Sequence, residues 1–280
     1  MAINWFPGHM VKTKREIKEN LKLVDAVIEI RDARIPNSSK NPDIDQLCKG
    51  KPRIILLNKC DLANEKITKE WKKSLENNET VVLEVNALKN DGLKNIKPAL
   101  LKLLKEKHDR LKAKGLVKIT TRVMVVGIPN VGKSTFINKM ARNNIAKTGD
   151  RPGVTKSKQW IKTSIGIELL DTPGVLWPKF EDEQVGLNLA FTGAIKDEIM
   201  DIEELAFNLV KKLEVDFKDE LMTRYKLEHL SEETIENLDN IARKRGCLIS
   251  GGNIDYNRIA VILLDEFRGG KIGRISLERP

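Results

Sequence analysis

Short, nearly continuous apolar runs alternate with amphipathic stretches from residue 24 to residue 172, and helical periodicity alone governs the remainder of the chain. VDAVIEI (24–30), RIILLN (53–58), TVVLEVN (80–86), RVMVVG (122–127) and IELLDT (167–172) are rich in Val, Ile and Leu. Runs of this kind predict strands buried on both faces, as in parallel sheets. Between them, 65–77, 91–107 and the stretch from Lys133 to Arg142 predict helices. Before them, residues 10–23 predict a very basic amphipathic helix, with Ile17, Leu21 and the neighbouring Val24 at helical spacing. The alternation specifies an α/β fold: a mostly parallel sheet with helices on both faces. The polar segment KTGDRPGVTKSK (147–158) reads as a mobile connection. Beyond Trp177 and Pro178 the strand-like runs stop, and helices are predicted near 183–193, 201–214, 217–226, 232–245 and 254–267. The pattern divides the chain into two domains: an α/β domain with an N-terminal extension over 1–178, and a smaller all-α domain over 179–280.

Charge sharpens this division. Residues 1–180 hold 36 Lys and Arg against 19 Asp and Glu, a balance of +17, whereas 181–280 hold 14 against 21, or −7; together they give the chain's +10. A basic body suits a polyanionic partner, with nucleic acid ahead of membrane. A lysine-rich solvated surface accounts for the same charge equally well. Within the acidic part, Arg243–Lys244–Arg245 and the stretch Arg268 to Arg274 could still meet phosphates, or serve as solvated helix ends. The three cysteines, Cys48, Cys60 and Cys247, are far apart and odd in number, which suits reduced cytoplasmic thiols rather than a disulfide framework or metal site. No segment approaches the ~20 apolar residues of a membrane span, and MAINWFPGHM lacks the basic flank and apolar run of a signal peptide. A monomeric, soluble, cytoplasmic protein is expected.

The chemistry begins at GIPNVGKS (Gly127 to Ser134), which matches the phosphate-loop pattern and lies between a predicted strand and a predicted helix. Gly127 and Gly132 let the backbone approach phosphate oxygens. The N–H groups of Asn130, Val131, Gly132, Lys133, Ser134 and Thr135 then face the anion at a helix N-terminus. Lys133 is placed to reach the β- and γ-phosphates, and the Ser134 hydroxyl to bind Mg²⁺. DTPG (Asp171 to Gly174) ends the last strand. There Asp171 can hold Mg²⁺, usually through water, and the Gly174 N–H can meet the γ-phosphate. Between the two motifs lies PGVT, whose Thr155 is the candidate to coordinate Mg²⁺ and respond to the γ-phosphate.

NKCD (Asn58 to Asp61) ends the strand RIILLN. The Asp61 carboxylate can accept two hydrogen bonds from the guanine N1–H and N2 amino edge, a donor pair that adenine lacks. Asn58 can donate to the purine and the Lys59 stem can pack on its face. After the next strand, Asn86-Ala87-Leu88 can present a backbone N–H to guanine O6. The order is unusual, because these base-reading motifs precede the phosphate loop. A circular permutation explains it: the spatial site is retained and the chain is cut elsewhere.

With these motifs in this order, the chain resembles the circularly permuted GTPases of the bacterial ribosome biogenesis GTPase A family. The resemblance runs through WFPGHM (Trp5 to Met10) and the helix after it, RDARIP (Arg31 to Pro36), NKCD, GIPNVGKS, PGVT, DTPGV and GGNIDYNRIAVILLDEFRGGKIGR (Gly251 to Arg274). It implies a permuted P-loop GTPase domain and a helical C-terminal domain similar to RNA-binding antiterminator modules. It also implies GTP and GDP as ligands, Mg²⁺ as cofactor, and a role in late assembly of the large ribosomal subunit, with contacts to rRNA and ribosomal proteins. Slow intrinsic turnover, accelerated by the ribosomal particle, would act as a release signal. In related GTPases an asparagine within the phosphate loop accompanies K⁺ beside the phosphates, which makes Asn130 a candidate K⁺ ligand. A loop-stabilising amide is the alternative.

One component of Ras-like catalysis is missing. Where those enzymes carry a water-orienting glutamine after D-x-x-G, this chain has Val175 and Leu176. The resemblance places it among GTPases with a hydrophobic residue there. His9, on a constrained FPGH turn, is the candidate to position or deprotonate the water; a structural or RNA-contacting histidine is the alternative. His108 and His229 receive no role. Rival readings are a GTP-dependent RNA-binding module with negligible catalysis, a signalling GTPase with protein effectors, and an ATPase, which Asn58 and Asp61 disfavour.

Overall fold

The computed structural model describes residues 15–117, 119–141, 160–172 and 182–280. Six strands form one sheet in the order β3-β2-β1-β4-β6-β5. They are β1 (Ala26–Asp32), β2 (Arg53–Asn58), β3 (Thr80–Glu84), β4 (Thr121–Val126), β5 (Trp160–Lys162) and β6 (Ile167–Asp171). All neighbours are parallel except β5, which runs antiparallel to β6 at the edge. The sheet grows outward in both directions from the β1–β4 pair, so strand order reverses there. In open α/β sheets ligands bind at such a switch point, beyond the carboxyl ends of the strands.

The register explains why the strands read as unbroken apolar runs. Val82, Ile55, Glu29 and Val126 lie side by side across β3, β2, β1 and β4, and Val27, Met124 and Leu170 form a second row on the same face. One end of that face packs under the helix at 15–21 (α1) and α2 (Pro42–Leu47), through Ile17, Leu21, Ile44 and Cys48. The other end packs under α3 (Glu65–Leu75), through Ile67 and Trp71. Alternation turns Ile28, Ile30, Ile54, Leu56, Val123 and Val125 to the opposite face, where α4 (Ile96–Leu103) packs on β2 and β3.

Between the two apolar clusters sits a buried ion pair. Arg31 Nε and Nη2 donate to the two Glu29 carboxylate oxygens at 2.8 and 3.0 Å, and Arg53 Nη1 donates to Glu29 Oε2 at 3.1 Å. Arg31 Nη1 also donates to the Pro36 carbonyl at 3.3 Å. The bidentate fork satisfies both partners, as burial of the charges requires.

Several elements depart from the sequence reading. The 91–107 helix is a 3₁₀ turn (Leu93–Asn95), then α4, a break at Leu104, and α5 (Lys105–Ala113). Gly92, at φ 76°, sets the start, because a Cβ there would collide with the Glu84 carbonyl. The helix predicted from Lys133 to Arg142 is α6 (Lys133–Met140). Two short elements, α2 and β5, went unpredicted. α2 buries only Ile44 and is specified by its Asn41 cap and the proline at its first position. β5 has three residues and is held by pairing with β6 and by Arg122 stacked 4.8 Å over Trp160.

Residues Asp182–Leu277 form a second compact unit. Its helices are α7 (Glu183–Phe191), α8 (Ile202–Asp216), α9 (Lys218–Tyr225), α10 (Thr234–Lys244) and α11 (Tyr256–Arg268). α8 is central, burying Leu205, Leu209 and Leu213 against its neighbours. Glu266 of α11 accepts a bidentate pair from Arg224 and a further bond from Arg245. That clamp ties α9 and the end of α10 to α11.

The first unit comprises Met1–Glu181 together with Glu278–Pro280, so the last three residues belong to it rather than to the helical domain to which the sequence reading assigned them. The reason is local. The Glu278 carboxylate accepts the Asn37 N–H at 2.7 Å, the Ser38 N–H at 3.0 Å and the Ser38 hydroxyl, while the Trp71 indole donates to the Glu278 carbonyl at 3.2 Å. Replacing Glu278 by Ala removes the shared acceptor of two backbone donors. The unfolding free energy of the first denaturation transition of the full chain is expected to fall by about 1–3 kcal/mol with its m-value unchanged; an unaltered midpoint would show the contact to be energetically idle.

Candidate functional site

The phosphate loop leaves β4 and enters α6 through two residues in the left-handed region, Asn130 at φ 59° and Gly132 at φ 95°. Gly132 is the helix cap. A side chain there would be strained by φ and would also run into the Asn58 amide nitrogen. Gly127 is needed for a different reason: a Cβ would stand 2.9 Å from the Ile30 carbonyl on β1.

Asn58, the last residue of β2, is buried, and both ends of its amide are engaged. Its Nδ2 donates to the Val131 carbonyl at 2.7 Å and its Oδ1 accepts the Ala87 N–H at 2.9 Å. One side chain thus fastens the NKCD motif to the phosphate loop and to the Asn86-Ala87-Leu88 turn. The bond to Val131 uses one of the two Nδ2 hydrogens, and the second is the one that the sequence reading gives to the purine. Lys59, at φ 59°, adds a second fastening. Its Nζ donates to the Asn130 carbonyl at 2.8 Å and pairs with Asp32 Oδ2 at 2.9 Å.

Asp32 organises this side of the site. Its Oδ1 accepts both the Arg34 N–H and Arg34 Nε at 3.0 Å, and its Oδ2 accepts Arg34 Nη2 at 2.8 Å. Its own N–H donates to Ser39 Oγ at 3.0 Å. Burial alone would raise the carboxyl's pKa, but the Arg34 and Lys59 cations outweigh it and hold the group far below the usual carboxylate range. Nothing in the residue-by-residue reading pointed to Asp32; only its place in RDARIP marked it.

Asp61, the carboxylate of NKCD, is partly exposed and pairs with Lys89 Nζ at 3.0 Å. Asn86 shapes the adjoining turn, its Oδ1 accepting the Lys89 N–H at 2.9 Å. On the phosphate side, Lys133 Nζ lies 3.1 Å from Asp171 Oδ1 at the end of β6. Burial pulls the Lys133 ammonium below the usual lysine range, and Asp171 opposes that shift. Next to Lys133, the Ser134 hydroxyl is exposed in the first turn of α6, and Thr135 is partly exposed. Thr172 Oγ1 donates to the Val125 carbonyl at 2.6 Å, which ties the start of DTPG to β4.

These oxygens fit Mg²⁺. A hydroxyl and a single carboxylate, completed by phosphate oxygens and water, form the hard donor set that this ion takes in nucleotide sites. Among the described residues, no cluster of three or more His, Cys, Asp or Glu could hold a metal ion by itself. His9, Thr155 and Gly174 lie outside the described residues. Of the other site residues singled out in the sequence, Asn58, Lys59, Ala87, Asn130 and Val131 are joined by hydrogen bonds, and Lys133 pairs with Asp171.

Comparison with known proteins identifies the family. Residues 122–243 match the family model described as 50S ribosome-binding GTPase. The ribosome biogenesis GTPase A of Bacillus licheniformis is 51% identical over 280 residues, covering 100% of this chain and 99% of that one. The Thermotoga maritima protein of the same name is 35% identical over 289 residues, covering 99% and 95%. The structure of GNP-bound YlqF from T. maritima superposes with a TM-score of 0.65 at 33% identity, over 96% of this chain and 98% of that one. The chain therefore belongs to the ribosome biogenesis GTPase A family, GTP-hydrolysing enzymes of ribosome biogenesis with a P-loop domain and a helical C-terminal portion.

Proposed function

We propose that this GTPase is a guanine-nucleotide switch that binds the large ribosomal subunit or its precursor through rRNA and ribosomal proteins, and leaves after particle-stimulated hydrolysis. The observation that carries the nucleotide half is the two-sided bonding of Asn58, which joins motifs from both sides of the permutation into one site. The ribosomal half is supported by the names of the relatives and by the basic balance of residues 1–180.

In this reading Asp61 accepts the guanine N1–H and N2 amino hydrogens, the Asn86-Ala87-Leu88 turn offers a backbone N–H to O6, and the Lys59 stem packs on the base. The N–H groups of Asn130 to Thr135 hold the phosphates, and Lys133 exchanges Asp171 for the β- and γ-phosphate oxygens. Ser134, Thr155 and Asp171 would hold Mg²⁺, which when bound neutralises charge developing on the phosphates. The Gly174 N–H meets the γ-phosphate, and His9 positions the attacking water. Asn130 would help to hold K⁺ beside the phosphates; equal turnover in NaCl and KCl would remove that role.

Asp61→Asn is the direct test of base recognition. Losing a charged acceptor for two donors is expected to weaken GTP by roughly 3–6 kcal/mol, or about 10²–10⁴-fold. Xanthosine triphosphate, whose 2-oxo group accepts from an amide, should then become the better competitor. A variant that keeps wild-type preference for GTP would show that Asp61 does not read the base. His9→Ala should lower turnover while leaving nucleotide affinity intact; unchanged turnover would remove His9 from the reaction.

A further inference from the structure

The nucleotide motifs occupy the carboxyl ends of β2, β4 and β6, and a different surface lies at the opposite end of the sheet. α5 buries none of its side chains, so it adds nothing to the core. A nine-residue helix with no apolar face is marginal on its own. Two side-chain contacts tie it to the strand ends. Lys107 pairs with Asp25, the residue before β1, and His108 Nε2 lies 3.3 Å from the hydroxyl of Thr121, the first residue of β4. Both partners stand where strands begin, so α5 lies about 20 Å, one strand length, from the nucleotide site.

Residues 102–117 carry six Lys or Arg and two acidic residues, Glu106 and Asp109, a balance of +4 out of the chain's +10. All six basic side chains are exposed, and among the described residues only Lys107 is in an ion pair. Like charge at this density repels itself and has little compensation within the fold. A counter-charge from outside is the simplest relief. α5 also lacks the large apolar face with which an amphipathic helix enters a membrane.

We infer that α5 and its flanks form a phosphate-binding surface for RNA on the side of the first unit away from the nucleotide, so that RNA and GTP can be held together without competing. This rests on the RNA-binding reading of the proposed function.

The test is the full-length variant Lys105→Gln/Arg110→Gln/Lys112→Gln/Lys114→Gln. Glutamine has helix propensity close to that of Lys and Arg, and none of the four side chains is buried. Binding of a fluorescent RNA duplex and of purified large ribosomal subunits would be followed across a KCl titration, with GDP affinity and intrinsic GTP hydrolysis as controls. The variant should bind both probes at least about tenfold more weakly, with a salt slope shallower by roughly 2–4 and both controls unchanged. An unchanged affinity and slope for a duplex that the wild type does bind would overturn the inference and leave the RNA reading standing. Loss of the subunits alone, with duplex binding intact, would make the surface a protein contact and also overturn it. If the wild type binds neither probe, the RNA reading itself falls.

Discussion

Gly132→Ala is expected to abolish guanine-nucleotide binding. Alanine at φ 95° carries a backbone cost of about 1–3 kcal/mol. Its Cβ would also displace the Asn58 amide. Asn58 Nδ2 then loses the Val131 carbonyl while remaining buried, which costs about 1–3 kcal/mol more. Because the same amide joins the phosphate loop to the base-reading motifs, the damage reaches both ends of the site. GDP affinity, measured with a fluorescent analogue, should fall by at least about 100-fold, since each tenfold corresponds to about 1.4 kcal/mol. Binding within a few-fold of wild type would mean that the Asn58–Val131 bond does not organise the site.

Asp32→Ala should produce the largest loss of stability. It strips Arg34 of three hydrogen bonds and Lys59 of its ion pair, and takes the Asp32 carboxylate from beside a buried guanidinium. Removing one partner of a buried pair costs roughly 3–5 kcal/mol. The unfolding free energy of the first denaturation transition should fall by that amount, and nucleotide affinity should fall with it, because Lys59 also holds the Asn130 carbonyl. The pH dependence has a definite sign. A carboxyl held below its unfolded pKa adds stability that is complete above the unfolded value and is lost as the solution is acidified through the folded one. Wild type should therefore lose more stability than Asp32→Ala on going from neutral pH to about pH 3. A variant that melts like wild type at both pH values would remove Asp32 from the account.

The strands of the central sheet were legible because burial on both faces leaves continuous Val, Ile and Leu, and the permutation was legible because NKCD precedes GIPNVGKS. The charged residues of β1 were not. Glu29, Arg31 and Asp32 look like the polar end of a strand, yet all three are buried, since each finds its partner two residues along the chain or on a neighbouring element. Pairing of that kind has no periodicity. For the same reason the docking of Glu278 on Asn37 and Ser38 left no trace in the local pattern: its partners lie about 240 positions away. At the site, the motifs marked Asn58, Lys59, Lys133 and Asp171, but the bonding of Asn58 to two backbones and of Lys59 to Asp32 depends on where the chain returns in space. His9, Thr155 and Gly174 rest on their motifs alone.

The measurement that bears most directly on the whole account is steady-state GTP hydrolysis by the full-length protein in KCl and Mg²⁺, with and without purified large ribosomal subunits, and with GDP or ADP as competitor. The account predicts slow turnover alone, strong stimulation by the subunits, and inhibition by GDP but not by ADP. Turnover that the subunits leave unchanged, or that ADP inhibits as well as GDP does, would contradict it.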